Sequence, residues 1–469
     1  MILETTSPGA LTSIRAIAMY SAVVAGALAT ILWKSEIGIY LLSVLLPLQT
    51  TRYHLHAFPL GSNIVDILIL CTLLGSVLRP QAPLLRRTSV LAFLGLMCGF
   101  YYLSLWRGAF YLGGSFPVWF SDTRLVDYKN FIVMPLLVVA VTRTIRTRKQ
   151  IAIIIALCCV TALAVDFSYL RSAAGRDFSH YAEETRDAGP LGYAGENGLA
   201  SYLVEATAFL LPLLALKGKP LIRAGIVLVV AANTTCILFS YSREAYLALA
   251  LVLCFLAVVK IRWLFIPILL LVVSWQAILP LAVQERIAMT YTKPDPGQSA
   301  ALDASAQERV MLWTDAINMF RANPVIGTGF LTYAEMGRVG SYKDTHNFYL
   351  KMLVETGLSG LLLFLVQLLL FTRTGLQLFS RARDSFLSLV GLGFACLILT
   401  AAIVNFFGDR WMFIQVDSNL WILLGCTLCG ISIASAKTSA ATEKTVRKTI
   451  KRDPWHTANP PLIHGDAAV

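Results

Sequence analysis

The residues best suited to chemistry lie in three short polar segments of a strongly apolar chain. Arg243 stands in FSYSREAYLALAL, Arg309 in SAQERVMLWTDAINMF, and His346 in DTHNFYLKMLVETG. Arginine presents a planar fork of donors that fits phosphate oxygens. A neutral imidazole accepts a proton from an attacking hydroxyl at physiological pH. These three segments are therefore the first candidates for a site that binds a phosphate group and activates a hydroxyl.

Each of these residues also has a purely structural interpretation. Arg243 would equally well extend to the membrane interface or pair with Glu244. Arg309 faces the same choice, because acidic residues lie close to it in the sequence. His346 and Asn347 open a long apolar run, so they would also serve to cap or solvate a helix end.

The composition indicates the kind of secondary structure that must hold these polar segments in place. The chain has 469 residues, of which 57% are apolar and 14% are charged, and its mean hydropathy is +0.68. Such values are typical of integral membrane proteins and exclude a soluble globular enzyme. We predict an all-α transmembrane bundle of about 12 (12–13) spans, drawn from the apolar runs 14–33, 37–50, 64–78, 89–106, 127–142, 151–170, 198–216, 221–239, 245–259, 263–283, 346–371, 386–404 and 411–434.

The net charge of +12 is explained by orientation in the membrane and not by nucleic acid. One set of loops carries 21 basic residues against three acidic ones, leaving out Asp466, and comprises 79–88, 143–150, 217–223, 260–262, 372–384 and the tail after 436. The opposite set holds 14 basic and 16 acidic residues and comprises 107–129, 171–197, 240–244, 284–345 and 405–410. The positive-inside rule predicts that the first set is cytoplasmic and the second exoplasmic.

The chain is predicted to divide into a membrane bundle, 1–436, and a disordered basic cytoplasmic tail, 437–469, that contacts anionic lipid. The large exoplasmic loop 284–345 is predicted to be partly helical. In it Val310, Trp313, Ile317 and Phe320 recur at helical spacing, as in a helix at the membrane interface.

A second polar segment, 171–197, places Arg186, Glu196 and Asn197 just before a span that contains Glu205. All nine cysteines lie in apolar runs, and the Cys426-x-x-Cys429 pair has no second ligand pair near it. A metal or redox role is therefore disfavoured, and no metal site or cofactor is predicted.

Four blocks of the sequence, in order, resemble the bacterial O-antigen ligase and polysaccharide polymerase superfamily, polytopic glycosyltransferases that use polyprenyl-diphosphate-linked glycans. The most specific feature is His346-Asn347 followed, after nine residues, by Gly357-x-x-Gly360. Without this resemblance the two glycines would indicate only close helix packing. The blocks cover about 190–370 and read GENGLASYLVEATAFLLPL, FSYSREAYLALAL, QERVMLWTDAINMFRANPVIGTGF and THNFYLKMLVETGLSG.

The resemblance implies a role for each candidate residue. Arg243 and Arg309 would bind the donor diphosphate, and His346 would be the catalytic base. Two guanidinium groups would stabilise a departing diphosphate without a metal. Further supporting residues would be Asn347, Glu196, Asn197 and Arg186.

The predicted function is an inner-membrane, inverting glycosyltransferase that moves a glycan from undecaprenyl diphosphate to an acceptor sugar hydroxyl at the periplasmic face. Lipid A-core as acceptor would make the protein a ligase, which the histidine motif slightly favours; a lipid-linked repeat would make it a polymerase. The rival interpretations are a lipid-linked glycan transporter and a structural membrane protein. The transporter is disfavoured because most polar residues cluster at one membrane face and no repeated halves are visible.

Overall fold

The computed structural model describes residues 14–48, 55, 58–79, 88–289, 291–292, 301–302, 304–338 and 344–452. These residues form a helical molecule with one antiparallel pair of two-residue strands, β1 (Tyr291–Thr292) and β2 (Ala301–Leu302). The helices are α1 (Ile14–Leu32), α2 (Glu36–Leu45), α3 (Ile64–Leu78), α4 (Ser89–Leu112), α5 (Thr123–Thr144), α6 (Arg148–Ala173), α7 (Glu196–Leu210), α8 (Pro220–Phe239), α9 (Arg243–Val259), α10 (Phe265–Ile278), α11 (Leu281–Ala288), α12 (Ala304–Ala322), α13 (Thr332–Met336), α14 (Phe348–Arg381), α15 (Ser385–Val404) and α16 (Ile414–Arg452).

Nine helical segments in the described part of the chain are long and apolar enough to cross a membrane. The number rises to ten if a bent pair, Arg262–Ile278 with Leu281–Ala288, is counted as one span. Two further apolar helices, α1 and α2, are shorter in their described parts, and α9 has 17 residues. The chain is therefore a multi-pass helical membrane protein, while the count of about 12 spans stays a prediction.

Side-chain caps fix where several of these helices begin. Thr147 accepts a hydrogen bond from the Gln150 backbone N–H, and Gln150 accepts one from the Thr147 N–H, which forms a capping box before α6. Asp384 caps α15 by accepting from two backbone N–H groups. The first N–H groups of a helix have no partner inside it, so these side chains set the start of each element.

The interior of the bundle is built from α7, α15 and α16. Buried residues make up 78% of the apolar stretches of α7 and α15 and 72% of that of α16, against 28% for α8. Below the polar end of these helices, Trp411 contacts Phe364 and Trp421 edge-on, with ring centroids 5.0 and 5.9 Å apart. These buried rings attach the start of α16 to α14 and anchor the loop between α15 and α16.

The apolar run 263–283, predicted as one span, is broken in the structure. Leu279 is extended and Pro280 follows it, so α10 and α11 meet at 102°. A residue before proline is disfavoured in the helical conformation, which explains the position of the break. No residue of α10 is buried, whereas α11 buries Ala282, Val283 and Arg286. The exposed, apolar α10 therefore leads directly into a short helix that packs on the protein.

The long loop 284–345 is partly helical, and α12 lies within it. Its residues at 290, 293–300, 303 and 339–343 lie outside the described part of the chain. The predicted apolar stripe is divided: Val310 and Ile317 are exposed, whereas Trp313 and Phe320 are partly buried. The face that packs inward carries Leu312, Ala316 and Met319.

The segment predicted as a disordered tail begins inside α16, which continues as a helix to Arg452. The sequence from Lys437 to Arg452 contains no Pro or Gly, and nine of its 16 residues are Lys, Arg, Ala or Glu, residues that favour helix. The remainder of the predicted tail, 453–469, lies outside the described residues.

Gly357 interrupts α14 instead of serving only to pack it against another helix. Its φ of 66° and ψ of −167° belong to a region that is essentially restricted to glycine. The groups released by the break pair with the segment around 324–329. The Leu358 N–H donates to the Pro324 carbonyl, and the Gly329 N–H donates to the Glu355 carbonyl. The break at Gly357 therefore joins the segment around 324–329 to α14, the helix that begins next to His346.

Replacing Gly357 by alanine is expected to destabilise the protein by about 3 kcal/mol or more, because strain and a steric clash act together. A Cβ there would lie 2.4 Å from the carbonyl carbon of Val325, a backbone atom that cannot rotate away. The measurement is the free energy of unfolding in mixed micelles. Gly95→Ala in α4 is the control, because its Cβ would meet nothing within 4 Å. Equal stability of the two variants would contradict the assigned strain.

Candidate active site

One cavity of about 740 Å3 brings the predicted site residues together at one end of the bundle. All the loop segments that line it belong to the set predicted to be exoplasmic. Its polar lining contains five arginines and four acidic residues, together with His346 and Tyr241: Arg186, Arg243, Arg286, Arg309, Arg410, Glu196, Glu244, Glu308 and Asp344. Of the residues proposed from the sequence, Asn347 alone does not line the cavity.

Asn347 is the N-cap of α14. Its side-chain oxygen accepts a hydrogen bond from the Leu350 N–H at 3.1 Å, and the residue is 2% exposed. The capping interpretation of the His-Asn pair is therefore correct for Asn347. It does not extend to His346, whose side chain lines the cavity.

Arg186 joins the loop 171–197 to the start of α7. Its guanidinium lies 2.7 Å from Glu183 and 2.7 Å from Glu196, and it donates to Asn197 at 3.4 Å. Burial alone would lower the pKa of this guanidinium, but Glu196 and Glu183 raise it. Arg186, Glu196 and Asn197 are thus one ion-paired unit on the cavity wall. Arg176, in the same loop, pairs with Asp187 at 2.6 Å and does not line the cavity.

A tight turn before α9 presents Arg243 to the cavity. Tyr241 has a positive φ of 55° and is fully buried, and α9 begins two residues later at Arg243. The next residue, Glu244, is 6% exposed and lies 4.0 Å from Arg410. Arg410, from the loop between α15 and α16, is therefore a cation beside this buried acid.

The loop after α15 is built to hold Arg410 in place. The side-chain oxygen of Asn405 accepts hydrogen bonds from the backbone N–H groups of Arg410 and Trp411, at 2.9 and 2.7 Å. The Phe348 N–H, at the start of α14, donates to the Asn405 carbonyl at 2.9 Å. These contacts join the loop to the helix that follows His346.

Arg309 reaches the cavity from α12. The indole N–H of Trp313, one turn further along, donates to the Thr345 carbonyl at 3.1 Å. Its ring also lies edge-on to Phe406 at 5.8 Å. These contacts hold the α12 face that carries Arg309 next to the segment that carries His346.

His346 forms a pair with Asp344. The imidazole Nδ1 lies 3.0 Å from an Asp344 carboxylate oxygen, and that oxygen also accepts the His346 backbone N–H at 2.7 Å. Burial alone would raise the pKa of Asp344, but the hydrogen bonds and charge of His346 lower it to about 2. With Nδ1 donating to an ionised carboxylate, Nε2 is left as the acceptor. His346 has a positive φ of 48°, a strained conformation for a residue other than glycine.

The residues that sequence reasoning missed are Arg286, Tyr241 and Asp344. Asp344 stands two residues before His346, so a nearby acid able to orient the imidazole was a usable signal. Arg286 had no comparable local signal, because its position depends on the turn at Pro280. Within the described ranges, no three or more His, Cys, Asp or Glu side chains are grouped so as to hold a metal ion.

Below the cavity, Lys351 forms a buried ion pair. Its ammonium group lies 2.5 Å from Asp409, and the two side chains are 9% and 4% exposed. Lys351 also stands four residues before Glu355 in α14, a spacing at which two opposite charges are able to pair. Instead the Glu355 carboxylate accepts from the backbone N–H groups of Leu331 and Tyr333.

Replacing Lys351 by methionine is expected to destabilise the protein by about 3–5 kcal/mol, because it leaves Asp409 charged and buried. Adding Asp409→Asn should recover much of this loss. Lys129→Met is the control: its pair with Asp66 is partly exposed, at 34% and 25%, and such pairs contribute less than about 1 kcal/mol. Unfolding in mixed micelles measures all three. A Lys351→Met protein as stable as Lys129→Met would refute this account of the buried pair.

Comparison with known families supports the resemblance drawn from the four sequence blocks. The family model described as O-antigen ligase matches residues 226–365. No curated protein matches the chain. The matched region contains Arg243, Arg286, Arg309 and His346, while Arg186 and Arg410 lie outside it.

Proposed function

We propose that the protein is a glycosyltransferase that moves a glycan from undecaprenyl diphosphate to an acceptor sugar hydroxyl, a proposal supported by the match of residues 226–365 to the family model described as O-antigen ligase. One observation carries the proposal: a single cavity holds Arg243, Arg309 and His346, three residues of distant sequence segments. Its volume of about 740 Å3 admits a diphosphate and the sugars on either side of the reacting bond.

In the proposed reaction, His346 Nε2 takes the proton of the acceptor hydroxyl while that oxygen attacks the anomeric carbon of the donor glycan. The new bond joins the acceptor oxygen to this carbon, and the bond from the carbon to the diphosphate oxygen breaks. Undecaprenyl diphosphate departs with the bonding electrons. Direct attack inverts the anomeric configuration, and the reaction as written requires no metal.

The cavity residues proposed from the sequence, together with Asp344, each have a role in this scheme. Arg243 and Arg309 stabilise the charge that develops on the departing diphosphate, where a fixed guanidinium is more effective than water. Asp344 orients the His346 ring and stabilises its protonated form. The ion-paired unit of Arg186, Glu196 and Asn197 forms one wall and supports the start of α7.

We place the protein in the bacterial inner membrane with the cavity at the periplasmic face. The support is the charge distribution of the loops, since the segments that line the cavity belong to the less basic set. The C-terminus is then cytoplasmic. In this arrangement residues 1–436 form the transferase bundle, with its ligase-like core at about 190–370, and the basic segment 437–469 contacts anionic lipid.

The experiment is transfer by purified protein in lipid nanodiscs, with a defined undecaprenyl-diphosphate glycan as donor. Lipid A-core and lipid-linked repeats are offered separately as acceptors. We expect glycan on lipid A-core, which would make the protein a ligase; longer lipid-linked chains would make it a polymerase with the same donor. No transfer to either acceptor, where another enzyme of the family works, would contradict the proposal and favour a lipid-linked glycan transporter.

A further inference from the structure

Arg286 is a buried arginine that points into the cavity from α11. It is 8% exposed, and its guanidinium lies over the ring of Tyr181 at 4.9 Å from the centroid. Its Nε–H donates a long hydrogen bond of 3.4 Å to the Tyr241 carbonyl. These contacts orient the guanidinium but use only part of its five donors.

The acidic residues around Arg286 are engaged by other cations. Glu183 binds Arg186 and the hydroxyl of Tyr181, and Glu196 binds Arg186 as well. In the part of the chain that the structure describes, no carboxylate is ion-paired with Arg286. A buried charge without such a partner is costly unless an anion completes the site.

The surrounding charges add to this cost. Burial lowers the pKa of Arg286, and the positive charges of Arg186 and Arg243 lower it further, while Tyr181 and Glu183 oppose these effects. The guanidinium groups of Arg186 and Arg243 thus repel that of Arg286. A ligand with two closely spaced negative groups would relieve this repulsion.

The helix that carries Arg286 directly follows an exposed, apolar helix. No residue of α10 is buried, and large apolar side chains such as Leu269, Val272 and Val273 are more than 60% exposed. The 102° turn at Pro280 then directs α11 onto the protein, where Arg286 enters the cavity six residues later. A ligand with a long apolar chain and an anionic head would match this path from lipid to cavity.

We propose that Arg286 is a further binding residue for the diphosphate of the polyprenyl-linked donor, and that α11 presents it to the diphosphate from the lipid-facing α10. This inference rests on the proposed function, because it takes the donor from there. It adds a contact outside the three residues that the sequence pattern singles out, and it assigns a role to the break between α10 and α11.

The test measures binding separately from transfer. The full-length protein in phosphatidylcholine nanodiscs is titrated with undecaprenyl diphosphate and with undecaprenyl monophosphate, and bound ligand is counted by native mass spectrometry. The variants are Arg286→Gln and Arg286→Lys. The matched control is Arg176→Gln, an ion-paired arginine of the neighbouring loop that does not line the cavity.

Arg286→Gln should weaken diphosphate binding about 10- to 100-fold, the effect of losing a hydrogen bond to a charged group. Monophosphate binding should change much less. Arg286→Lys should fall between, because lysine keeps the charge but loses the fork. Arg176→Gln should bind as the unchanged protein does. In the transfer assay, Arg286→Gln should raise KM for the donor and leave KM for the acceptor unchanged.

Undiminished diphosphate binding by a normally folded Arg286→Gln protein would overturn the inference. So would an equal loss for both ligands accompanied by a lower Tm, which would show that Arg286 only supports Tyr181 and the turn at Tyr241. If Arg286→Gln does not fold, Arg286→Lys decides, since a stable lysine variant with full diphosphate binding overturns the inference too. Diphosphate binding that depends on Arg286 in a protein without transfer activity would support this inference while contradicting the proposed function.

Discussion

Replacing Arg243 by alanine is expected to lower glycan transfer about 10²- to 10³-fold, as losing one preorganised donor to a developing negative charge does in other enzymes. Arg243 lies at the first turn of α9, where the helix N-terminus adds positive potential toward the cavity. The left-handed residue Tyr241 stands two positions before it and sets the direction in which α9 begins.

The measurement is transfer by purified Arg243→Ala protein with saturating acceptor, after insertion and Tm have been compared with those of the unchanged protein. Arg321→Ala is the control, because Arg321 is exposed near the end of α12 and does not line the cavity. Arg243→Lys should retain part of the activity, since it keeps a charge without the planar fork. A normally expressed Arg243→Ala protein with full transfer would remove Arg243 from the diphosphate role.

Local patterns predict those parts of the site that interrupt an apolar run. Arg243, Arg309 and His346 each stand in such an interruption, and the structure brings all three to one cavity. Hydropathy also placed most helices close to their observed bounds, because an apolar run has to satisfy its backbone inside the membrane by forming a helix. The polar interruptions and the helix bounds both depend on residues that are near one another in the sequence. They can therefore be predicted from one sequence alone.

The rest of the site depends on contacts between distant segments. Arg410 is held by Asn405 and by the start of α14, and Arg286 reaches the cavity only because the chain turns at Pro280. The local sequence around each of these two arginines is the same as would surround an arginine whose side chain extends to the membrane surface. Pro280 stands within the run 263–283, but the sequence predicts that run as one unbroken span and does not give the direction of the turn.

Gly357 illustrates a pattern with two physical explanations. Two glycines three positions apart, as Gly357 and Gly360 are, indicate close helix packing, and a helix break satisfies the same pattern. The structure decides for the break, because the backbone at Val325 and Ile326 occupies the space that a Cβ would need. That segment lies about thirty residues earlier, so the sequence near Gly357 does not contain the reason for its glycine.

Replacing His346 by alanine is expected to lower transfer about 10²- to 10⁴-fold, the usual contribution of a positioned general base. The pair with Asp344 holds the ring so that Nε2 is the acceptor, and the ionised carboxylate stabilises the ring once it is protonated. Asp344→Asn should therefore cause a smaller loss, because it acts through His346 and does not contact the acceptor. Both variants should bind undecaprenyl diphosphate normally.

The control is His180→Ala, since His180 is exposed and pairs with Glu285 at 2.8 Å outside the cavity.

Added imidazole provides a sharper measurement. It should restore part of the transfer in His346→Ala, where the lost ring leaves space in the cavity, and none in Arg243→Ala, where the missing group is a guanidinium. Full transfer by His346→Ala would be consistent with the proposed transferase activity but would show that His346 is not its base. The proton of the acceptor hydroxyl would then have to go to another cavity residue. Glu244, a buried acid beside Arg410, would then be the first to replace.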